Sequence, residues 1–361
     1  RQYDRELKDL FVVQSEIARG ISDEIQAALG NSRPALPVAR HPLSPQECEA
    51  HDLYLRGRYF WNRRTEEAFQ QAANFFQQAI AKDRNYATAY AGLADTYGLM
   101  STWSVGPQNE LMPKARAAAL KALEIDPTLA EAHTSLALIA EAYDYDWQTA
   151  EREFRRAIQL NPDYATAHQW YGEYLAWQGR FEDALAESER ARQLDPLSLI
   201  IANDRASIYY LARQYDRSIA QARAVLDMDP NFAQSGGVIL NAYEQEGRFA
   251  DALEILEHQP VNPWSWGGKA CLYSRWGRTA EAQQALRSFE RSAPKLGYSE
   301  TWARLQVYVY TLQKDKALAL LQKGVAEHSF NPGGIKVDPL YDPLRSDPRF
   351  HELLRRLRLE Q

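Results

Sequence analysis

Histidines and one cysteine are the residues whose types and spacing could do chemistry in this sequence. His133 and His168 lie 35 residues apart, and imidazoles that are brought together can bind a metal ion. The corresponding positions elsewhere in the chain hold large aromatic residues: Tyr90, Trp266 and Trp302. We therefore interpret both histidines as packing residues. Cys271 has no histidine near it in the sequence, and we interpret it as a buried small side chain.

Motifs for catalysis and for phosphate binding are missing from the sequence. It contains no G-x-x-x-x-G-K-[ST] or G-x-G-x-x-G loop, no G-x-S-x-G or H-E-x-x-H motif, and no kinase signature. Carboxylates are abundant, but acids such as Glu151 and Glu187 fit solvated helix faces, and no pair is singled out by its surroundings. We therefore expect a protein that is not an enzyme, with no catalytic residue, cofactor or metal site.

The composition indicates a folded protein that is not a general binder of polyanions. The 361 residues are 45% hydrophobic and 25% charged, with a net charge of −6 and two cysteines. These values argue against disorder, a disulfide framework and direct nucleic-acid binding. No apolar run reaches the roughly 18 residues of a membrane span. We expect a cytoplasmic location, or a periplasmic one if a transmembrane helix precedes the chain. Because the first residue is Arg1 and not Met, we expect a piece of a longer protein.

A regular spacing of prolines predicts the elements that position these side chains. An acid or amide precedes proline at four places, spaced by 35, 34 and 34 residues: Asp126-Pro127, Asn161-Pro162, Asp195-Pro196 and Asp229-Pro230. Proline cannot continue a helix, and it biases the preceding residue away from helical angles. A second break recurs between the prolines, with Gly179, Gly247 and Gly277 suited to left-handed turns. Each unit is therefore predicted to be two helices followed by a proline corner.

The apolar residues inside the units agree with paired helices. Small residues recur early in each second helix: Ala72, Ala115, Ala150, Ala184, Ala252, Ala282 and Ala317. Large residues follow four positions later at sites such as Phe76 and Phe154, and tyrosines recur in the first helices. Alternation of large and small apolar residues at helical spacing is typical of interlocked helices.

These features resemble the tetratricopeptide repeat family, whose 34-residue pattern is W-x2-L-G-x2-Y, then A-x3-F-x2-A, then P. The best match is H-x2-Y-G-x2-L at residues 168–175, followed by A-x3-S-x2-A at 184–191 and by Pro196. The resemblance implies an all-α, right-handed solenoid of about eight helix pairs at residues 53–330. Within it we expect an insertion at 100–112, one extra residue near 143–146 and a short sixth unit.

The two ends are expected to flank the array. Residues 1–30 carry an apolar stripe that predicts a helical segment at the end of an upstream domain, and residues 31–52 form a proline-rich linker. Residues 3–18 resemble a segment of bacterial multidomain regulators, in which a winged-helix, adenylate cyclase or kinase domain and a TolB-like segment precede such an array. Residues 331–361 are predicted to cap it, with a final helix starting at Asp347-Pro348.

The resemblance also implies where a partner binds, because first helices line the concave groove in this family. The positions that face the groove map onto Asp95, Trp170, Glu173, Trp177, Asn203, Asp204, Asn241 and Glu244. Amides suit a peptide backbone, and aromatic faces suit apolar side chains and cations. We expect Trp170 and Glu173 to line the groove, although the tryptophans could instead pack between repeats. Trp103, in the insertion, is a second candidate contact.

The sequence thus predicts a scaffold that binds a protein or peptide, and the mix of acids and aromatics in the groove suits a basic one. By resemblance it is the sensory or interaction arm of a bacterial transcriptional or signalling regulator, and it contacts the upstream domain of the same polypeptide. The lysines of the clamp that binds chaperone tails are missing, which excludes that ligand. Two alternatives stay open: a domain that binds a small, nucleotide-like molecule or is an enzyme, and a purely structural module that forms homo-oligomers.

Overall fold

The structure, a computed structural model, describes residues 44–360, which contain seventeen α-helices and no strand. The expected helical segment at 1–30, most of the linker and the regulator-like stretch at 3–18 lie outside the described residues. The helices are α1 Pro45–Asn62, α2 Glu66–Lys82, α3 Ala87–Thr102, α4 Gln108–Ile125, α5 Ala130–Ile139, α6 Trp147–Leu160, α7 Ala165–Trp177, α8 Phe181–Leu194, α9 Leu199–Leu211, α10 Tyr215–Met228, α11 Ala233–Gln245, α12 Phe249–Glu257, α13 Pro263–Trp276, α14 Thr279–Ser292, α15 Glu300–Tyr310, α16 Lys314–Ala326 and α17 Pro348–Arg356.

The first sixteen helices form eight consecutive pairs, which we number units 1 to 8, and α17 follows them. This is the all-helical solenoid of tetratricopeptide type that the sequence predicts. Unit 1 begins with α1 at Pro45, upstream of residue 53, where the array was expected to start. Ser44 caps α1 in a capping box with Glu47, and Pro45 occupies its first turn, so the helix start is encoded locally.

The residues before the spaced prolines end the second helices, as predicted. Asp126, Asn161 and Asp229 lie in extended backbone with φ of −134°, −140° and −143°. The side chain of each accepts a hydrogen bond from the backbone N–H two residues later, at 2.9, 3.1 and 2.9 Å. An Asx turn and a following proline both favour this conformation. The corner between units therefore depends on the dipeptide and needs no distant contact.

Small residues let neighbouring helices approach closely around large buried side chains. Phe76 of α2 is fully buried between Gly57 of α1 and Gly92 of α3. A Cβ atom at these glycines would lie 2.5 Å and 2.7 Å from the Phe76 ring, so only glycine leaves room for it. The recurrent alanines of the second helices, including Ala150 and Ala184, are also fully buried. Packing of large against small residues thus joins each unit to the next.

Three irregularities occur where the sequence departs from the 34-residue period. The insertion lengthens α3 to Thr102, and Trp103 then packs edge-on against Phe69 at 5.7 Å. The extra residue of unit 3 is absorbed by a π-helical turn at Ala140–Asp144, which ends at Tyr145 in left-handed backbone. In unit 6 the second helix, α12, has only nine residues. Unit 6 therefore has the shortest second helix of the eight units.

The C-terminal segment packs on unit 8 and then crosses to units 3, 4 and 5. We call residues 328–344 the return segment. The Tyr145 hydroxyl donates to the carbonyl of Phe330 at 3.2 Å, and Trp147 Nε1 donates to the carbonyl of Leu357 at 2.6 Å. The cap predicted at 331–361 therefore does more than cover the last repeat, because it also ties the end of the chain to the third.

Candidate peptide-binding chamber

The inner face of units 1 to 5 is filled by side chains of the protein itself, and we call it the closed half. Asp95 of α3 is almost completely buried, 3.5 Å from Arg58 Nη1, and accepts a hydrogen bond from Ser135 Oγ at 2.6 Å. Burial raises the pKa of Asp95 to about 6, with Arg58 acting in the opposite direction. This predicted groove residue is engaged inside the molecule.

Trp170 and Glu173 of α7 lie on the inner face, where the end of α1 covers them. The ring of Trp170 packs against the ring of Trp61 with their centroids 6.4 Å apart, although the two belong to units 4 and 1. The Arg64 guanidinium lies 3.6 Å from the centroid of the Trp61 ring. Burial, together with the charge of Asp204, raises the pKa of Glu173 well above its usual range. The groove is therefore plugged at this level.

The remaining predicted residues of the closed half also have internal partners. Asn203 Oδ1 accepts a hydrogen bond from Ser235 Oγ at 2.9 Å, and Asp204 Oδ2 accepts one from Gln169 Nε2 at 2.5 Å. Trp177 lies under the return segment, where a Cβ atom at Gly333 would be 2.7 Å from its ring. These contacts engage the predicted residues of units 4 and 5 inside the molecule.

A cavity of about 1480 Å³ opens beside unit 6, and we call it the chamber. Its walls come from α9 to α15, from Asp338 and Leu340 of the return segment, and from Trp103 of the insertion. Gly236 and Gly237 of α11 would meet no atom within 4 Å if they carried a Cβ, so this helix leaves space beside it. The short α12 adds to that space. The chamber thus follows from two glycines and a truncated helix.

Asn241 and Glu244, the two predicted residues of unit 6, line the chamber from successive positions on one face of α11. Glu244 is buried, with Oε2 3.3 Å from Arg275 Nη1. A second nitrogen of Arg275 donates to Gln245 Oε1 at 3.1 Å, and Gln245 Nε2 donates to the Tyr310 hydroxyl at 3.0 Å. Burial raises the pKa of Glu244 to about 7 even though Arg275 lowers it. Arg275 therefore offsets only part of the cost of burying the negative charge of Glu244.

Asp338 is a chamber residue that the sequence analysis missed. Its Oδ1 accepts a hydrogen bond from the backbone N–H of Leu340 at 2.8 Å, and burial raises its pKa to about 6. Cys271 and Gln306 were also missed as lining residues. A signal for these two existed, because each lies two residues before a recurrent tyrosine, Tyr273 or Tyr308, as Asn241 lies before Tyr243. No repeat pattern covers Asp338, which lies outside the array.

The chamber has the features of a binding site and lacks those of a metal centre. In residues 44–360 no three histidine, cysteine, aspartate or glutamate side chains come together as metal ligands would. His133 and His168 each contact a glutamate of their own unit, Glu153 at 2.8 Å and Glu187 at 2.6 Å.

No helix in the described part of the chain combines the length and apolar character needed to cross a bilayer.

Comparison with known proteins supports the fold. No protein-family model matches the chain. The transcriptional regulator HilA of Salmonella typhimurium is 30% identical over 144 residues, which cover 40% of this chain and 26% of HilA. The type IV pilus assembly protein PilF of Pseudomonas aeruginosa is 29% identical over 153 residues, covering 32% of this chain and 58% of PilF. The solved human IFIT1 dimer with m7Gppp-AAAA has a TM-score of 0.52 at 14% identity, covering 96% of this chain and 77% of that one.

The chain thus has the fold of a helical solenoid of tetratricopeptide type. It spans only about a quarter of HilA, and the likeness to IFIT1 concerns the fold alone.

Proposed function

We propose that the chain binds a protein or peptide and that the binding site is the chamber. One observation supports the proposal: Asn241 and Glu244 line a cavity of about 1480 Å³, whereas the predicted groove residues of the closed half do not line it. Amide and carboxylate groups converging in a mostly apolar cavity are typical of sites that fix a ligand's orientation. The volume exceeds the roughly 300–1,000 Å³ of small-molecule pockets, which favours a segment with several side chains.

We further propose that this binding serves a bacterial regulator whose output domain precedes the chain. The similarity to HilA, a transcriptional regulator, supports this role, as does the resemblance of residues 3–18 to the regulators described above. On this proposal the ligand changes how the array contacts its upstream domain. The compartment would then be the cytoplasm, or the periplasm if a transmembrane helix separates the two.

An oligonucleotide, such as the capped one named with IFIT1, suits the chamber less well. Its lining contains four carboxylates and two arginines, and a site for a polyanion needs an excess of positive charge.

The proposal is tested by filling the chamber without disturbing the walls. Gly237 shares a helix face with Asn241 and has no atom within 4 Å of a Cβ position, so Gly237→Phe places a ring in open space. The immobilised full chain, residues 1–361, is used to select from a displayed library of random heptapeptides. We expect the wild type to recover peptides well above bare resin and Gly237→Phe to reduce that recovery at least about tenfold.

Gln283→Phe is the matched control, because it adds the same ring at an exposed position of α14 away from the chamber. Recovery by this variant should equal that of the wild type. Recovery that is unchanged in Gly237→Phe, or absent in the wild type, would contradict the proposed site.

A further inference from the structure

The charges that line the chamber are not balanced. Its carboxylates are Glu244, Asp251, Glu254 and Asp338, and its arginines are Arg223 and Arg248. Arg248 Nε already contacts Asp251 Oδ2 at 2.7 Å, and Arg223 donates to the hydroxyl of Tyr243. Neither arginine forms an ion pair with Glu244 or Asp338 in the described residues. Glu254 is exposed, so Glu244 and Asp338 are the acids away from solvent that lack an arginine of the lining as a partner.

Glu244 has one cationic neighbour, Arg275, whose position is fixed by contacts with other side chains. Arg275 is fixed by Gln245, and its guanidinium carbon lies 4.9 Å from the centroid of the Tyr310 ring. The Glu244 side chain is only 4% exposed, and burial outweighs the attraction of Arg275 in setting its pKa. A buried carboxylate that is incompletely compensated is stabilised by a second cation. A ligand could supply this second cation on the side of Glu244 that faces the cavity.

Asp338 has no cationic partner at its carboxylate, although an arginine lies near. Arg345 donates to the backbone carbonyl of Asp338 at 3.1 Å and directs its Nε to Asp342 Oδ1 at 2.7 Å. The Asp338 side chain caps the 3₁₀ helix Pro339–Leu344 through Leu340. Hydrogen bonds from the Leu340 N–H and from the Tyr210 side chain reach this carboxylate, and what it lacks in the described residues is an ion-pair partner.

Aromatic residues connect the two acids and complete the wall. Tyr310 lies within electrostatic range of both, since burial first, and then the charges of Glu244 and Asp338, raise its pKa. Trp302 lines the same cavity, and Trp264 is 42% exposed there. Aromatic faces attract ammonium and guanidinium groups and pack well against their aliphatic stems. Acids and aromatic faces that share one cavity are the chemistry that recognises a cationic side chain.

We infer that the chamber selects peptides carrying lysine or arginine, whose cationic group lies between Glu244 and Asp338 and whose aliphatic stem packs on the aromatic wall. This inference rests on the proposed function and specifies the ligand of the same site. It commits to a basic peptide segment, which the net negative lining favours over an acidic or neutral one.

The test measures the composition of the peptides that the full chain selects from the random heptapeptide library. We expect lysine plus arginine to be at least about threefold more frequent among recovered peptides than in the input, and this enrichment to disappear in Glu244→Gln and in Asp338→Asn. Glutamine keeps an acceptor for Arg275, and asparagine keeps the cap of Leu340. Thermal unfolding of each variant reports whether the fold is retained.

Glu257→Gln is the matched control, because it removes an exposed carboxylate of α12 that does not line the chamber. The enrichment should persist in this variant. Recovered peptides without excess lysine and arginine, or with the same excess in Glu244→Gln and Asp338→Asn, would overturn the inference and leave the proposed function intact. Failure of the wild type to recover any peptide would refute both.

Discussion

The closed half and the chamber are built from the same repeat and differ in what their polar groups face: other side chains of the protein in the closed half, and a cavity in the chamber. In the closed half, Asp95 has Arg58 and Ser135, and Asp204 has Gln169. In the chamber, Glu244 and Asp338 line open space of about 1480 Å³. The position of a residue on the inner face of a solenoid is therefore not sufficient to make it a binding residue. Raised carboxylate pKa values occur in both regions, so what distinguishes the chamber is the open space beside its carboxylates, which a ligand can enter.

The largest effect is expected from removing the ring that plugs the closed half. Trp61 is 2% exposed and packs between Trp170 and the guanidinium of Arg64. Trp61→Ala should lower the free energy of unfolding by about 3–5 kcal/mol, because a large cavity replaces a close-packed ring. Urea unfolding followed by circular dichroism measures this change.

Tyr59→Ala is the control for that experiment, since Tyr59 lies on the same helix and is 60% exposed. Its effect should stay below about 1 kcal/mol. A loss of less than about 1 kcal/mol in Trp61→Ala would mean that the closed half is not held by this ring.

A pH-dependent effect is expected from the chamber. Because burial raises the pKa of Glu244 from 4.5 to about 7, the folded chain holds a proton there that the unfolded chain releases. The contribution of Glu244 to stability is therefore greatest below pH 4.5 and is lost as the pH rises through about 7. Relative to Glu244→Gln, the wild type should lose about 1–3 kcal/mol between pH 5 and pH 8.

Chemical denaturation of both proteins at the two pH values measures that difference, and comparison with the variant cancels the titration of the other acids. A difference that is constant from pH 5 to pH 8, or that grows in favour of the wild type, would show that Glu244 is fully compensated.

The smallest effects should have opposite signs in the two regions. Gly333→Ala adds a methyl group 2.7 Å from the ring of Trp177 and should destabilise the protein by about 1–3 kcal/mol through overpacking. Gly236→Ala adds a methyl group beside the chamber with no atom within 4 Å, and should stabilise α11 by about 0.5–1 kcal/mol. Thermal and urea unfolding measure both, and equal signs would remove the packing contrast between the regions.

The helix pairs could be predicted because their determinants are local. Asp126 and Asn161 form turns with residues two positions later, and the alternation of large and small residues specifies the contact between adjacent helices. The same register placed Asn241 and Glu244 on the inner face, where they line the chamber. Extending it to units 7 and 8 would also have found Cys271 and Gln306.

The plug and the return segment could not be predicted because they join distant residues. The contact of Trp61 with Trp170 joins units 1 and 4, so it depends on the curvature of the solenoid. That curvature is the sum of many small packing angles between adjacent helices. The repeat pattern places Trp177 in the groove, but Gly333, far along the chain, packs against its ring. Asp338 lines the chamber because the same return segment crosses the array. A repeat pattern describes neighbours, and these contacts are not between neighbours.

The return segment and the residues that follow it, up to Leu357, affect how the chain folds. An open array of repeats folds and unfolds from any point, because each unit touches only the next. Here Trp147 donates to the carbonyl of Leu357, 210 residues away, and Arg213 holds Asp342 through two hydrogen bonds of 2.8 Å. Units 3 to 8 therefore form a closed loop that should unfold as one cooperative block. During synthesis, unit 3 acquires its contacts with Phe330 and Leu357 only after those residues have left the ribosome.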